Sequence, residues 1–528
     1  MFILSQSKVF VILYLICSLA VSIYCTNAYA EDSTETHLFD VVNAVITNNL
    51  DIQINARDVD SARGAWQSEV GAFDETVSST FGYARTETPN TKYQASELQS
   101  PTTRENVAEY SMGVSKKFRS GISVSPTIEL TKTNALSKAA YYSIGADTTN
   151  MASFSLNVTI PLLKGSGADV VAANEKAAKI NYDASKLYQN NFVAQQVAQA
   201  VQYYWSLYKM FITLQIYKET EDRARQLLVN TQKLIEHGNL PAANIEQVKA
   251  NLASKRASRI SSEQNIVQAQ ADLGTMMGLK DNRIWRLTPA SFTGVKYDNL
   301  TELQQSKDEQ LIEIALQRRN DLGSLKMLAQ AQVILMAAAK KNMLPQLDLT
   351  LSGGYNGLSE RDSFSDYFTA YGKNVAGPNA SAQISLNFPL RNNEATGAFI
   401  QQKAAYEKAM LNVDNTIITI RANVINALNL YRNSIRRYKE AHESVGYYKK
   451  AADNEHKKLS MGAATLNSTI DMENYLTNAR LAELDAENAL LNSIITVRYQ
   501  TGTVFSKGEG KFMYNIGNLI SLPNINVE

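Results

Sequence analysis

Cysteine is nearly absent: of 528 residues only Cys17 and Cys25 carry a thiol, and both fall in the first thirty. That opening stretch has one early basic residue, Lys8, an apolar run from Val9 to Ile23, and Ala28-Tyr29-Ala30 ahead of acidic Glu31-Asp32. It reads as a secretory signal peptide over 1–30 with a small-residue cleavage site. Its removal leaves no thiol, which excludes disulfides, Cys-ligated metals and thiol nucleophiles. Lipid attachment at either cysteine is disfavoured, because Ile16 and Tyr24 stand where a small residue would precede a modified Cys.

A surplus of either charge is also missing. Without Lys8 the 52 basic residues become 51, equal to the 51 acidic ones. Nucleic acid calls for a strong basic excess, so no such partner is expected. Histidine is scarce, and the closest pair of the four (His37, His237, His442, His456) is 14 residues apart, not the three or four that share a helical face. No metal, cofactor or catalytic constellation is expected, and the chain is read as no enzyme. Gly165-Ser166-Gly167 lacks the third glycine of a phosphate-binding turn and reads as an elbow between strand and helix. After the signal the best apolar run is Val333 to Ala339, far short of the roughly 18 residues of a membrane helix. Insertion into a membrane is therefore left to a β-barrel.

What is present is a message written twice. Asp51-Ile52 recurs as Asp321-Leu322, Phe81-Gly82-Tyr83 as Gly353-Gly354-Tyr355, Thr159-Ile160-Pro161-Leu162 as Asn387-Phe388-Pro389-Leu390, and His237-Gly238 as Met461-Gly462. A duplication this long predicts pseudo-symmetric architecture. The expected division is a first repeat over 31–280, a connector over 281–305 that packs against the helices, a second repeat over 306–500, and a tail over 501–528 with no clear period.

Six segments alternate apolar and polar residues: Val77 to Tyr83, Tyr110 to Phe118, Ile122 to Leu130, Ser153 to Ile160, Leu347 to Leu351 and Ser381 to Phe388. Their polar members are mostly Ser, Thr, Asn and Gln, as in a wall with lipid outside and water inside. Long helices follow. From Asp169 to about His237 the apolar positions Val193, Val197, Ala200, Tyr204, Leu207, Phe211 and Leu214 alternate steps of four and three, a coiled-coil seam. Ile417, Ile420, Val424, Ala427, Tyr431, Ile435 and Tyr438 form a looser seam in the second repeat. About 70 helical residues reach about 105 Å, far beyond a globular domain. Gly238 and Gly462 suit the left-handed turn after a helix, so helical hairpins are predicted over 165–278 and 392–499. The first repeat has a surplus between its strands: 79 residues separate Gly82 from Pro161, but 35 separate Gly354 from Pro389. The surplus holds two extra strand-like segments around Gly121, destined for the barrel as an added hairpin or for an extracellular flap.

Further residues carry a resemblance. Ala315-Leu316-Gln317-Arg318-Arg319-Asn320-Asp321-Leu322 looks like a helix opening with Asn in place of the usual Pro; Leu344-Pro345-Gln346-Leu347 leads into a strand ending Gly354-Tyr355; Ile160-Pro161-Leu162-Leu163 and Phe388-Pro389-Leu390 stand at strand-to-helix corners. In this order, repeated after a signal peptide, they make the chain resemble the TolC-like outer-membrane efflux protein family. The resemblance implies an α+β membrane protein with an internal two-fold structural repeat. Its outer-membrane β-barrel is shared between the protomers of a homotrimer and continued through the periplasm by an α-helical coiled-coil barrel. Four strands per chain would give twelve, and six would give eighteen if the added hairpin joins the wall. The implied function is a passive exit duct of a tripartite efflux or type I secretion system. Its partners would be outer-membrane lipid, a periplasmic adaptor protein and an inner-membrane transporter.

The resemblance also points to sites. Pro161 and Pro389 end a strand and start a helix. The tips Gly238, Asn239, Leu240, Gly462 and Ala463 are adaptor-docking candidates. The family often has an acidic residue six positions after each tip glycine, where this chain has Asn244 and Ser468. Asp471, nine after Gly462, matches an acidic position near the mouth, and three copies would form a carboxylate ring able to favour or bind cations. Phe81, Tyr83, Tyr110, Tyr141, Tyr142, Tyr355, Tyr367 and Phe368 are candidates for interfacial girdles. A different class, a structural coiled-coil envelope protein or surface appendage, is opposed by the six amphipathic strands.

Overall fold

The computed structural model describes residues 35–97, 100–136, 148–238, 240–280, 282–290, 307–360, 376–505 and 519–523. The segment 1–30, expected from the sequence to be a signal peptide, lies outside them. The first half runs β1 (Glu35–Thr36), α1 (Leu38–Asn48), α2 (Leu50–Val70), β2 (Thr76–Pro89), α3 (Lys92–Glu97), β3 (Thr102–Lys117), β4 (Ser123–Leu136), β5 (Thr148–Pro161), α4 (Ala168–Val171), α5 (Ala173–Glu236) and α6 (Asn244–Met276). The second runs β6 (Thr288–Pro289), α7 (Asp308–Arg318), α8 (Asn320–Lys341), β7 (Gln346–Ser359), β8 (Ala376–Asn387), α9 (Asn393–Ser460) and α10 (Leu466–Gln500).

The duplication is visible in element lengths. Helices α1 and α2 have 11 and 21 residues, and α7 and α8 have 11 and 22. The long helices have 64 and 68, and those that follow the tips 33 and 35. Both short pairs break at one extended residue, Asn49 (ψ 126) or Arg319 (ψ 112). The breaks are held differently. Asn49 Oδ1 accepts the Ile52 N–H at 3.0 Å while its Nδ2 donates to the Met276 carbonyl at 2.8 Å; Arg319 is paired to Asp321 at 2.6 Å.

The chain divides into two compact units, one of residues 1–53, 192–317 and 422–528, the other of 54–191 and 318–421. Each unit draws on both repeats. The second holds one six-stranded antiparallel sheet in the order β2-β3-β4-β5-β7-β8. Each alternating segment of the sequence falls on one of these strands to within a residue. The two extra segments around Gly121 are β3 and β4, interior members of the sheet and not a separate flap. The register keeps like with like: Met112, Ile128, Phe154 and Tyr355 lie side by side, and Thr80, Ser111, Glu129, Ser153 and Asn356 form a polar row on the other face. Pro126, inside β4, removes one ladder donor, yet the register is the same on both sides of it, Gly113 facing Thr127 and Lys116 facing Val124.

In the same unit α8 is long and apolar enough to cross a membrane by length and composition, with a mean hydropathy of 1.4. The sequence reading, based on unbroken apolar runs, did not single it out. Leu322, Ala329, Ala331 and Ala338 of it are buried, whereas Leu328 and Val333 are exposed.

In the other unit α5 supplies the seam. Val193, Val197, Ala200, Tyr204 and Leu207 are buried together with Leu38, Val41, Val42 and Val45 of α1 and Leu491 and Ile495 of α10. Phe211 and Leu214 are only partly buried, as are Ile417 and Tyr438 of the second seam, whereas its Ile420, Val424, Ala427, Tyr431 and Ile435 are buried. Of the connector, 282–290 is described. It forms a 3₁₀ turn and then β6, which pairs in parallel with β1, a small sheet with no counterpart in the sequence reading. Gln270 Nε2 donates to the Leu287 carbonyl at 2.9 Å, seating this segment on α6. The tail, left without structure above, is tied down in its described part: the buried Arg498 donates to Ser521 O at 2.5 Å, Leu522 O at 2.9 Å and Thr503 O at 3.1 Å.

Candidate functional site

Two helical tips are built by the same physics. After α5, His237 N–H donates to Lys233 O and Gly238 N–H to Ile235 O at 3.0 Å. After α9, Gly462 N–H donates to Leu459 O at 3.0 Å and Ala463 N–H to Lys458 O at 2.8 Å. Gly238 and Gly462 have φ of 76° and 71°, the left-handed conformation that closes a helix end at little cost only for glycine. The return helix α10 is capped by Thr465, whose hydroxyl accepts the Ser468 N–H at 3.1 Å. Ser468 Oγ donates to Glu455 Oε1 at 2.6 Å, so this residue joins α9 to α10. Asn244 opens α6 with its N–H on Pro241 O at 3.1 Å. An apolar cluster of Leu227, Val248, Leu459, Leu466 and Ile470 packs the two tips side by side.

Beyond that cluster the four helices are held by buried charge. Glu473 of α10 meets Arg223 of α5 at 2.8 Å and His456 of α9 at 2.7 Å. Thr220 and Thr477 share a hydrogen bond at 3.3 Å, and Lys255 of α6 donates to Asn474 Oδ1 at 2.5 Å. Burial pushes the Glu473 carboxyl up, but the hydrogen bond from His456 and the Arg223 charge outweigh it and hold the pKa below the usual range. Desolvation lowers the Lys255 ammonium. On another side of α5, Glu221 gathers Arg259 at 2.8 Å, Arg225 at 2.9 Å and Arg256 at 3.5 Å; chiefly the Arg259 hydrogen bond lowers its pKa.

The sequence-derived candidates are therefore distributed as follows. Gly238, Leu240, Gly462 and Ala463 sit in the tip turns, and Asn239 lies outside the described residues. Asn244 and Ser468 begin the return helices as turn and capping residues. Asp471 is exposed on α10. Glu473, Arg223 and His456 were not singled out. The signal for Glu473 was a carboxylate at a seam position, between buried Ile470 and buried Leu476 and Thr477.

The corners differ from each other. Pro161 is the last residue of β5 and faces Asp348, after which Gly165 and Gly167 take φ of 76° and 88°. Pro389 lies two residues past β8, and the turn there is made by Asn392, with φ of 45° and its Nδ2 donating to Met343 O at 2.8 Å. Of the aromatic candidates, Phe81, Tyr83, Tyr110 and Tyr355 are on strands, whereas Tyr141, Tyr142, Tyr367 and Phe368 lie outside the described residues. No group of three or more His, Asp or Glu among the described residues is placed to hold a metal.

Comparison with solved structures gives the same fold at low identity. The Campylobacter jejuni CmeC outer membrane channel is 17% identical, with 90% of this chain and 88% of that one covered and a TM-score of 0.65. The Vibrio cholerae outer membrane protein VceC is 13% identical over 88% and 96%, TM-score 0.63. The Neisseria gonorrhoeae MtrE outer membrane channel in its open state is 12% identical over 88% of each chain, TM-score 0.61. No curated protein matches the chain in sequence. The family model for outer membrane efflux proteins matches residues 120–279 and 311–503, one block in each repeat. With well over half of its length matched, the chain belongs to the outer membrane efflux protein family.

Proposed function

We propose that the protein is a passive exit duct in the outer membrane. Three copies close their sheets into one β-barrel, and their helices continue it toward the periplasm as a coiled-coil tunnel. The observation that carries this reading is the six-stranded sheet with one apolar face and two edges, β2 and β8, that pair with no further strand among the described residues. Lipid cannot hydrogen-bond an exposed strand edge, so such a sheet is viable in a membrane only when other copies close it. The helices bury apolar seams, and α9 leaves Leu411, Ile418 and Ile425 exposed at steps of seven, as suits helices that pack against other copies around a tunnel.

Energy comes from an inner-membrane transporter reached through a periplasmic adaptor, in a tripartite efflux or type I secretion assembly. The tips at Gly238 and Gly462 are the docking and closing end. Asp471, on the exposed side of α10, contributes a carboxylate ring at the mouth. Electron microscopy of the protein extracted from outer membranes in mild detergent tests the reading. A threefold particle with a membrane collar and a helical rod of roughly 100 Å is expected; a compact monomer or an unbounded fibre would refute it.

A further inference from the structure

The hairpin β3–β4 is the surplus that the first repeat carries between its strands. It lies in the middle of the sheet, with β2 on one side and β5 on the other, so β2 has no direct bond to β5. Its pairing is extensive: β3 faces β2 from Thr102 to Ser115, and β4 faces β5 from Ser123 to Asn134.

The side chains of the hairpin continue the pattern of the strands around it. On one face β3 presents Ala108, Tyr110, Met112 and Val114, and β4 presents Val124, Pro126, Ile128 and Leu130. The register sets these beside Val77 to Tyr83 of β2 and Ala152 to Val158 of β5. The apolar band also stops at nearly the same level on each strand. Arg85 of β2 faces Asn106 of β3, and Lys132 of β4 faces Asn150 of β5. At the other end Lys116 of β3 is paired with Glu75, just before β2. On the opposite face the hairpin carries Glu105, Glu109 and Glu129 among Ser and Thr. Charges at this depth cannot face lipid cheaply, so that face belongs to water.

The turn of the hairpin is fixed to the corner of its own chain. Arg119 makes two hydrogen bonds to Glu175, at 2.7 and 2.8 Å, and lies 4.8 Å from the Phe73 ring centroid. Gly167 N–H donates to Ser120 O at 3.0 Å. Gly121, at φ 97°, fits so closely that a Cβ there would stand 2.3 Å from Gly165 O and 2.8 Å from Pro161 Cγ.

We infer that the hairpin is part of the lipid-facing wall, and that three copies close a barrel of eighteen strands, β2 of one copy pairing antiparallel with β8 of the next. This rests on the trimeric duct proposed above and adds its pore size. Two features of the edges point to a second copy as their occupant. Strands β2 and β8, of 14 and 12 residues, run in opposite directions across the sheet, as antiparallel closure requires. They also carry its most exposed apolar side chains: Val77 at 62%, Phe81 at 74%, and Ile384 and Leu386 at 68%, against 43% for Ile128 inside the sheet. At about 4.8 Å between strands and a tilt of about 40°, eighteen strands give a barrel about 36 Å across between backbones, and twelve give about 24 Å.

The test counts strands and asks what the hairpin touches. Electron microscopy of the full-length protein in lipid nanodiscs should show eighteen strands around a threefold axis. In parallel, single cysteines are introduced into the otherwise thiol-free mature chain at Met112→Cys and Ile128→Cys, with Ser111→Cys and Thr127→Cys as controls, and labelled with a fluorophore. Brominated lipid should quench the first two and aqueous iodide the controls. A closed threefold collar of twelve strands, with all four labels quenched by iodide, would overturn the eighteen-stranded wall and leave the duct standing. The absence of any closed threefold particle would remove both.

Discussion

Glu473 and Arg223 lie 250 positions apart in sequence and 2.8 Å apart in space, a mostly buried ion pair that, with the more exposed pairs Arg480–Glu219 and Lys209–Asp485, links the return helix of the second repeat to the long helix of the first. His456 contacts the other oxygen of the same carboxylate from the second long helix at 2.7 Å. Three of the four helices at the tips thus converge on one charge.

Removing that charge should loosen the tips. Glu473→Gln leaves Arg223 without its counter-ion in a mostly buried site, at a cost of about 2–3 kcal/mol. Hydrogen exchange in 220–260 and 450–480 should quicken accordingly, with the sheet unaffected. Combining Glu473→Gln with Arg223→Met should cost less than the two changes separately, by about 1–3 kcal/mol. Additive effects would show that the pair contributes no coupling.

The same pair fixes a pH response. The folded pKa of Glu473 is lowered, so its stabilisation is present above the unfolded value and fades as pH falls through the folded one. The unfolded value is about 4.3. The opening free energy of the tips, taken from exchange corrected for its intrinsic pH dependence, should therefore keep the Glu473 contribution down to that value and lose it below. In Glu473→Gln this loss should shrink.

Two positive-φ glycines separate steric from conformational cost. At Gly462 nothing lies within 4 Å of an added Cβ, whereas at Gly121 the Gly165 carbonyl would be 2.3 Å away. Gly462→Ala should cost about 1 kcal/mol, lowering the thermal midpoint slightly. Gly121→Ala should cost several times more and reduce the yield of assembled particles, because neither backbone can yield without opening the corner. Equal effects on the midpoint would show that the hairpin turn is not seated at that corner.

Much of this was legible in the sequence because it depends on local period. Strand alternation at Ser153 to Ile160 and the steps of four and three from Val193 follow directly from which face meets what, and tip glycines declare a backbone need. The placement of β3 and β4 was not legible, because alternation states that a strand has two faces and not which strand it pairs with. Arg119 and Glu175, which fix that placement, are 56 residues apart. The β1–β6 pairing and the Arg498 clasp on the tail were hidden for the same reason: they are contacts at long separation by short segments without period. Glu473 was not legible from its offset from the tip glycine either, because its burial is set by the helical seam between Ile470 and Thr477.

The geometry of α10 separates the two carboxylates near the tip. Asp471 and Glu473 are two residues apart, which on a helix of 3.6 residues per turn puts them on opposite sides. Glu473 faces the four-helix core, so Asp471 faces away from it, and its side chain is exposed. In the proposed trimer that side is free to meet the pore axis, where three carboxylates would attract a multivalent cation. Asp471→Asn should then weaken block of single-channel current by a trivalent cation about tenfold or more, equivalent to about 1.4 kcal/mol, with no change in thermal midpoint. Glu473→Gln should show the reverse, a lower midpoint with block retained. Block unchanged in Asp471→Asn would place its exposed face away from the mouth and remove the ring.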